Sequence, residues 1–495
     1  MSIIGIDIGS SSVKAVAYNT EGLPLAEGRS ETPSIHAADG EWEQNPESTW
    51  QCTCDAIRQI TQNDNMRKDP PVAIAVSASA RENYPADEHG NSLANTKMAA
   101  DIRGAEFEAV EEGAVLPEQW ELDCGHLRER MDPMNRFRWW KKYYPEIIDK
   151  AKYYLDWHSI VTYKLCGRNV TIPNLVSRWA AFDLKSSSWN REILEKFEFP
   201  ERLLPELMPS CKPIDVIDRK IAEDLGLPPG VLLATGGMDA SCATLGIGVA
   251  KEGMINLISG SYENMIIPTT MLPTPELLLN GMSIMTHLGN IKHCAFIISP
   301  TGNALLNWAR ATVNITYGEV ERELKNTFTP STVLAIPYVS GAFMYWKNRR
   351  DLRGAVLGAT LATKPYEIIQ AFMESIAYDH VNTLSMLKAS DIATDWIRAT
   401  GGGTRSAWWT QLKSDIIGLP IEVMLTDEPG TFGAALMAGV AAGIYDDLDA
   451  ASIALNKVAK TYEPDFKRAE LHKARMELYN KAVPSINENV FSSWV

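Results

Sequence analysis

Ile3-Ile4-Gly5-Ile6-Asp7-Ile8-Gly9-Ser10-Ser11-Ser12-Val13-Lys14-Ala15-Val16-Ala17-Tyr18 opens the chain. Two apolar, β-rich runs flank a glycine and three serines, and Glu21-Gly22 supplies the next turn, so the stretch reads as strand, tight turn, strand. Outward from it, residues 72–77 form another buried strand, and the polar segment 80–90 is a loop or short hairpin. A new apolar strand, residues 231–235, runs into Gly236-Gly237-Met238-Asp239 and a small-residue helix at 240–247. Residues 254–267 then repeat the opening theme, with Ser259-Gly260-Ser261 at the turn. That recurrence predicts two α/β domains of similar plan, the second starting near residue 250, in a chain of 495 residues that exceeds what single cores usually support.

Between 91 and 171 the texture is helical, with residues 137–140 and 155–160 at helix-compatible spacing and their aromatics read first as core packing. The second half shows a helix at 305–312, a loop at 338–353, a long helix at 365–387 and a strand near 396–399. The glycine turn Gly401-Gly402-Gly403, a helix opened by Glu428-Pro429-Gly430, and peripheral helices from about 451 complete it.

A net charge of −15 argues against a nucleic-acid partner, which needs a basic face, but leaves room for ATP, whose charge magnesium and backbone amides can meet. Cys52 and Cys54, among seven scattered cysteines, have the wrong separation for a zinc or redox pair. No apolar run approaches the ~18 residues of a membrane span, and no secretory signal opens the chain, so no membrane association and a cytoplasmic location are expected.

A turn of small residues such as Gly9-Ser10-Ser11-Ser12 can aim N–H groups and hydroxyls at phosphate oxygens, although glycine and serine also serve plain turn geometry. Asp7, just before it, is placed to hold a water of a phosphate-bound magnesium, and Lys14 adds a mobile positive charge. Asp239 stands where a strand ends and a helix begins; it reads equally as the base that takes a proton from an attacking hydroxyl and as a helix N-cap. In Arg81-Glu82, one side chain donates and the other accepts, which suits hydroxyl-rich ligands, while the bland reading is a surface ion pair.

Taken in order, the 5–14 segment, Gly236-Gly237-Met238-Asp239, Thr400-Gly401-Gly402-Gly403 and the 429–439 helix resemble the FGGY carbohydrate kinases from residue 3 to roughly 445. The resemblance implies two actin-like (ribonuclease H-like) ATPase domains with a cleft between them. Its domains would be 1–248 (acceptor and first phosphate loop), 249–445 (nucleotide side) and 446–495 (peripheral helices). It implies ATP-dependent phosphorylation of a small sugar, polyol or sugar acid with Mg2+, and makes a homodimer plausible. Carried over by position, Ser10, Ser11, Ser12 and Lys14 contact ATP phosphates, Asp7 and Asp239 sit at the metal, and Asp239 is the base. Gly260 and Ser261 form the second phosphate loop; Asn303 and Asn307 contact the nucleotide, and Gly402 and Gly403 form the adenosine turn. On the acceptor side stand Arg81, Glu82, Asp101, Arg103 and, more weakly, Asn174. The chain departs from the family pattern at Ala240, at Arg81-Glu82 where xylulose kinases have Met-His, and at Tyr262-Glu263 in the second loop, where Glu263 must point away from phosphate. A weakly active sugar sensor and a polymerising actin-like ATPase are the rival readings.

Overall fold

A computed structural model describes residues 1–36, 38, 40–99, 101–107, 117–129, 131–342 and 352–491. Most of the loop expected at 338–353, and part of the helical stretch between 91 and 171, lie outside the described residues. The chain forms two compact units: Met1–Ala250 with Ile284–Cys294 and Thr426–Asn456, and Lys251–Ser283 with Ala295–Leu425 and Lys457–Val495. The first break in the chain falls after Ala250. The segment Thr426–Asn456, expected to divide between the second domain and a peripheral tail, instead clusters with the first unit.

The reason lies in small residues. Strand Ser2–Ile8 is apolar on both faces and buried along nearly its whole length, as a central strand covered on both sides must be. Helix Pro429–Ala441 packs so closely on it that a Cβ at Gly5 would collide with the Thr431 carbonyl. The same helix meets Asp239–Gly246 through Gly433, which lies against the Cys242 carbonyl. Larger residues at these contacts would push the helix off the sheet.

In the first unit Ser2–Ile8 pairs antiparallel with Ser12–Asn19, which pairs antiparallel with Pro24–Glu31. On its other side it runs parallel with Pro71–Ala78, which in turn runs parallel with both Leu232–Ala234 and Gly237–Met238. Ile4, Ile6, Ile8, Val13, Ile74 and Val76 anchor the core around these strands. The second unit repeats the pattern. Glu263–Thr269 pairs antiparallel with Gly253–Ser259, which runs parallel with Thr394–Thr400 and, beyond it, Ile421–Met424. The repeated strand-turn-strand opening thus becomes the same antiparallel-then-parallel sheet in each unit.

Elsewhere the structure differs from the helical texture expected. The stretch after residue 91 is mixed: strand Tyr153–Leu155 ends where helix Trp157–Cys166 begins. The tail past 451 contains strand Val458–Tyr462, which pairs antiparallel with Ile421–Met424 and extends the second sheet. Its polar, exposed pattern is that of an edge strand and carries no apolar signal. Among the described residues no helix is long and apolar enough to cross a membrane, and all seven cysteines are free.

Candidate active site

Three neighbouring parallel strands bring the first unit's candidate groups to one sheet edge. Asp7 is level with Ser77, and Ser77 is level with Gly237. Arg81-Glu82 follows the end of Pro71–Ala78, and Asp239 follows Gly237–Met238 directly. Ligand sites of α/β sheets gather at such carboxyl ends.

Asp239 is the first residue of helix Asp239–Gly246, and the N-cap position belongs to Met238, which makes no side-chain capping bond. The helix-cap alternative is therefore not how the residue is used. Its carboxylate accepts from the N–H of its own neighbour Ala240 at 2.6 Å and is open to solvent. The protein crowding its flanks pushes its pKa up to about 6, the nearby Asp7 carboxylate adds to the rise, and Ala240 N–H opposes it. Solvent reaches the group, so water softens both effects without reversing them. Asp7, half-buried, accepts from Ser77 Oγ at 2.6 Å; burial raises its pKa, against the pull of that bond and of Lys14.

The Gly9–Ser12 turn is closed by Gly9 N–H donating to the Ser12 carbonyl at 3.1 Å. Ser10 and Ser11 are exposed, while Ser12 is buried within its strand. Lys14 differs from the expected mobile cation: its Nζ donates to both Glu428 oxygens at 2.7 Å. Glu428 lies at the start of the helix that packs on the sheet, so the partner is remote in sequence.

Arg81 and Glu82 are both buried, not a surface pair, and they do not pair with each other. Arg81 Nη2 meets Glu129 at 2.6 Å, and its Nη1 has no partner among the described residues. Glu82 accepts from Ser79 Oγ. Glu129 also accepts from Arg178 at 3.2 Å. Fully buried Arg136 donates to the Arg81 carbonyl at 2.9 Å and to Met98 O at 2.6 Å, tying the Arg81-Glu82 loop to the segment before Asp101. Sequence reading missed Glu129, Arg136 and Arg178 because no motif marks them; only folding brings them to Arg81.

Asp101, fully buried, accepts from the N–H of Trp42 and of Arg103, both at 2.9 Å, and pairs with the Arg103 side chain. Burial raises its pKa, but these donors outweigh burial and leave the net shift downward. Arg103 also meets Glu43 at 2.7 Å, so the Asp-x-Arg pair is closed on protein groups. Asn174 is likewise fully buried, with its amide engaged by Met238, Ser241 and Thr286, not facing solvent as an acceptor contact.

In the second unit the expected nucleotide residues converge. Asn303, Asn307, Gly402 and Gly403 line one solvent-open recess with Arg310 and Tyr317. Strand Gly253–Ser259 and strand Thr394–Thr400 are neighbours, and both glycine turns leave their carboxyl ends. Gly260 and Ser261 carbonyls accept from Asn303 and Ala304 N–H at 3.0 and 3.1 Å, fastening the loop to helix Asn303–Thr312. Gly403 has no Cβ because one would strike Ser259 Oγ. Glu263 points inward as required: it is 1% exposed, and Lys413 Nζ lies 2.9 and 2.8 Å from its two oxygens. His380 comes within 3.5 Å of Glu263, but burial and Lys413 keep the imidazole neutral, so no second ion pair forms.

Comparison with known proteins agrees with this geometry. The FGGY carbohydrate-kinase N-terminal domain matches residues 2–246 and the C-terminal domain of that family matches residues 283–442. A glycerol kinase from Janthinobacterium sp. is 24% identical over 97% of this chain and 98% of its own length. The ligand-bound xylulose kinase from Lactobacillus acidophilus shares the fold at TM-score 0.91 and 21% identity, covering 100% of both chains. Plasmodium falciparum glycerol kinase with ADP does so at TM-score 0.85 and 20% identity, over 98% of each. The fold is the two-domain actin-like one.

Proposed function

Because the chain belongs to the FGGY family of carbohydrate kinases, and so phosphorylates a hydroxyl of a small sugar, polyol or sugar acid at the expense of ATP, we propose that Asp239 is its general base. The observation that carries this is a solvent-open carboxylate, raised towards neutrality, at a sheet edge shared with Asp7 and the Arg81-Glu82 loop. A base works best with a pKa near the operating pH and a free lone pair, and Asp239 has both. It takes the proton of the acceptor hydroxyl, whose oxygen then attacks the terminal phosphorus of ATP as the bond to the bridging oxygen breaks and ADP leaves.

Arg81 Nη1 donates to acceptor oxygens and Glu82 accepts from acceptor hydroxyls, with Glu129 and Arg136 holding Arg81 in place. Ser10 and Ser11 offer hydroxyls and N–H groups to phosphate oxygens. Lys14 reaches phosphate only by giving up Glu428. In the second unit, Asn303, Asn307 and the Gly402–Gly403 turn take the nucleoside, and Gly260–Ser261 binds phosphate.

The donor set suits Mg2+ held chiefly by nucleotide phosphates. Among the described residues no three His, Cys, Asp or Glu side chains could hold an ion by themselves, whereas Asp7 is close enough to Asp239 to disfavour its charge. Asp7 and Asp239 would hold the ion, directly or through water, and it would supply charge neutralisation at the phosphates.

Asp239→Asn should lower acceptor-dependent ADP release by roughly 10²–10⁴-fold while ATP binding, followed by calorimetry, is kept. Turnover at the wild-type rate in that variant eliminates the base assignment. A panel of glycerol, tetritols, pentuloses and aldonates identifies the acceptor class.

A further inference from the structure

We infer that Asn174 and His158 are positioning residues that set the aim of Asp239 by clamping the backbone just before it and, through Asn174, the Ser241 side chain just after it. The inference rests on the base role proposed above. Neither residue touches the reacting groups; both are fully buried.

The Asp239 carboxylate makes one hydrogen bond among the described residues, to the adjacent Ala240 N–H. Its side chain is therefore not held by anything beyond its own turn, and its direction is inherited from the backbone. Gly236-Gly237 precedes it, strand Gly237–Met238 is paired over only two residues, and helix Asp239–Gly246 opens with Met238 at the N-cap and no side-chain cap.

Two side chains supply what the local sequence lacks. Asn174 Oδ1 accepts from Met238 N–H at 2.8 Å, while its Nδ2 donates to Ser241 Oγ at 3.0 Å and to the Thr286 carbonyl at 2.6 Å. Met238 N–H can only donate and Thr286 C=O can only accept, so the amide orientation is forced. His158 works one step earlier. Its Nδ1 lies 3.2 Å from the Val170 carbonyl and must carry the proton there, which leaves Nε2 to accept from Gly236 N–H, also at 3.2 Å. Burial holds the ring in the neutral form that this arrangement requires, against the pull of Asp156.

The backbone is thus gripped at Gly236 and Met238 just before the base, and the Ser241 hydroxyl just after it is held as well, by residues drawn from other parts of the unit. Near-attack geometry is unforgiving: a shift of about 1 Å at a reacting group can cost on the order of 10²-fold in rate.

The test is a double-mutant cycle with Asp239→Asn, reading kcat, both KM values and thermal unfolding in the full chain. Asn174→Ala and His158→Leu should each lower kcat by roughly 10- to 100-fold, with both KM values within about threefold of wild type, the signature of an interaction that counts only in the transition state. His158→Gln, which keeps an acceptor for Gly236, should recover part of the loss. In the Asp239→Asn background the same substitutions should cost nothing further, because no base remains to be aimed. Retained kcat in the single variants, or a loss that persists undiminished without Asp239, overturns the inference while leaving the base assignment standing. Wild-type turnover by Asp239→Asn itself removes both. If Asn174→Ala does not give folded protein, Asn174→Asp, which keeps the acceptor for Met238 N–H, and His158→Gln carry the same comparison.

Discussion

Replacing Lys413 by Met tests how the Gly260–Ser261 loop is held. Lys413 Nζ lies 2.9 Å from Ser259 Oγ, 2.9 and 2.8 Å from the Glu263 oxygens and 3.7 Å above the Trp409 ring. Ser259 Oγ also donates to Glu263 at 2.6 Å. Lys413 is 3% exposed and Glu263 1%. Methionine fills the aliphatic volume but strands a buried carboxylate with one hydroxyl donor beside a neutral imidazole. Breaking a buried pair in this way costs about 3–5 kcal/mol. At ~2–4 °C per kcal/mol for a domain of this size, the unfolding midpoint of the second unit should fall by roughly 6–20 °C. The double variant Lys413→Met with Glu263→Gln removes both charges and should regain at least about half of that loss. Ser259 underlies Gly401 and Gly403, so KM for ATP should rise more than KM for the acceptor. Differential scanning calorimetry with steady-state kinetics reads all three. A single variant within about 2 °C of wild type, or a double variant as damaged as the sum of its parts, would falsify the buried-pair account.

Asp239 carries a pKa raised above its unfolded value, so between about 4 and 6 the folded state binds more protons and stability declines as pH rises through that window. Asp239→Asn should therefore melt higher than wild type at pH 7, and a lower midpoint contradicts the crowding argument. For activity the sign is opposite: in the proposed base role Asp239 must be deprotonated, so kcat/KM should fall as pH drops through about 6. Asp7→Asn, by removing a neighbouring carboxylate, should move that limb to lower pH in a pH–rate profile. Arg81→Met should raise the acceptor KM by well over tenfold with little change in KM for ATP, because it leaves Glu129 without its 2.6 Å partner and the acceptor without its donor; equal effects on both substrates rule out the acceptor role.

The parts of this protein that were legible in the sequence are those encoded locally. An apolar run, a Gly/Ser turn and a second apolar run are enough to specify a hairpin, and its recurrence 250 residues later announced two units of one plan. Asp7, Asp239, Gly260 and Gly402–Gly403 could be placed at strand ends because glycine marks each of those ends. The edge strand Val458–Tyr462 was missed because an exposed strand lacks an apolar period.

What tertiary structure alone decided is which remote partners these groups meet. Lys14 finds Glu428, Arg81 finds Glu129 and Arg136, and Glu263 finds Lys413, at separations no local pattern spans. The same holds for Asn174, whose sequence context suggested an acceptor contact and whose burial commits its amide to the turn that presents Asp239. A buried polar atom must be satisfied by whatever the fold brings beside it. Residue type sets what such an atom can bond, and packing chooses the partner.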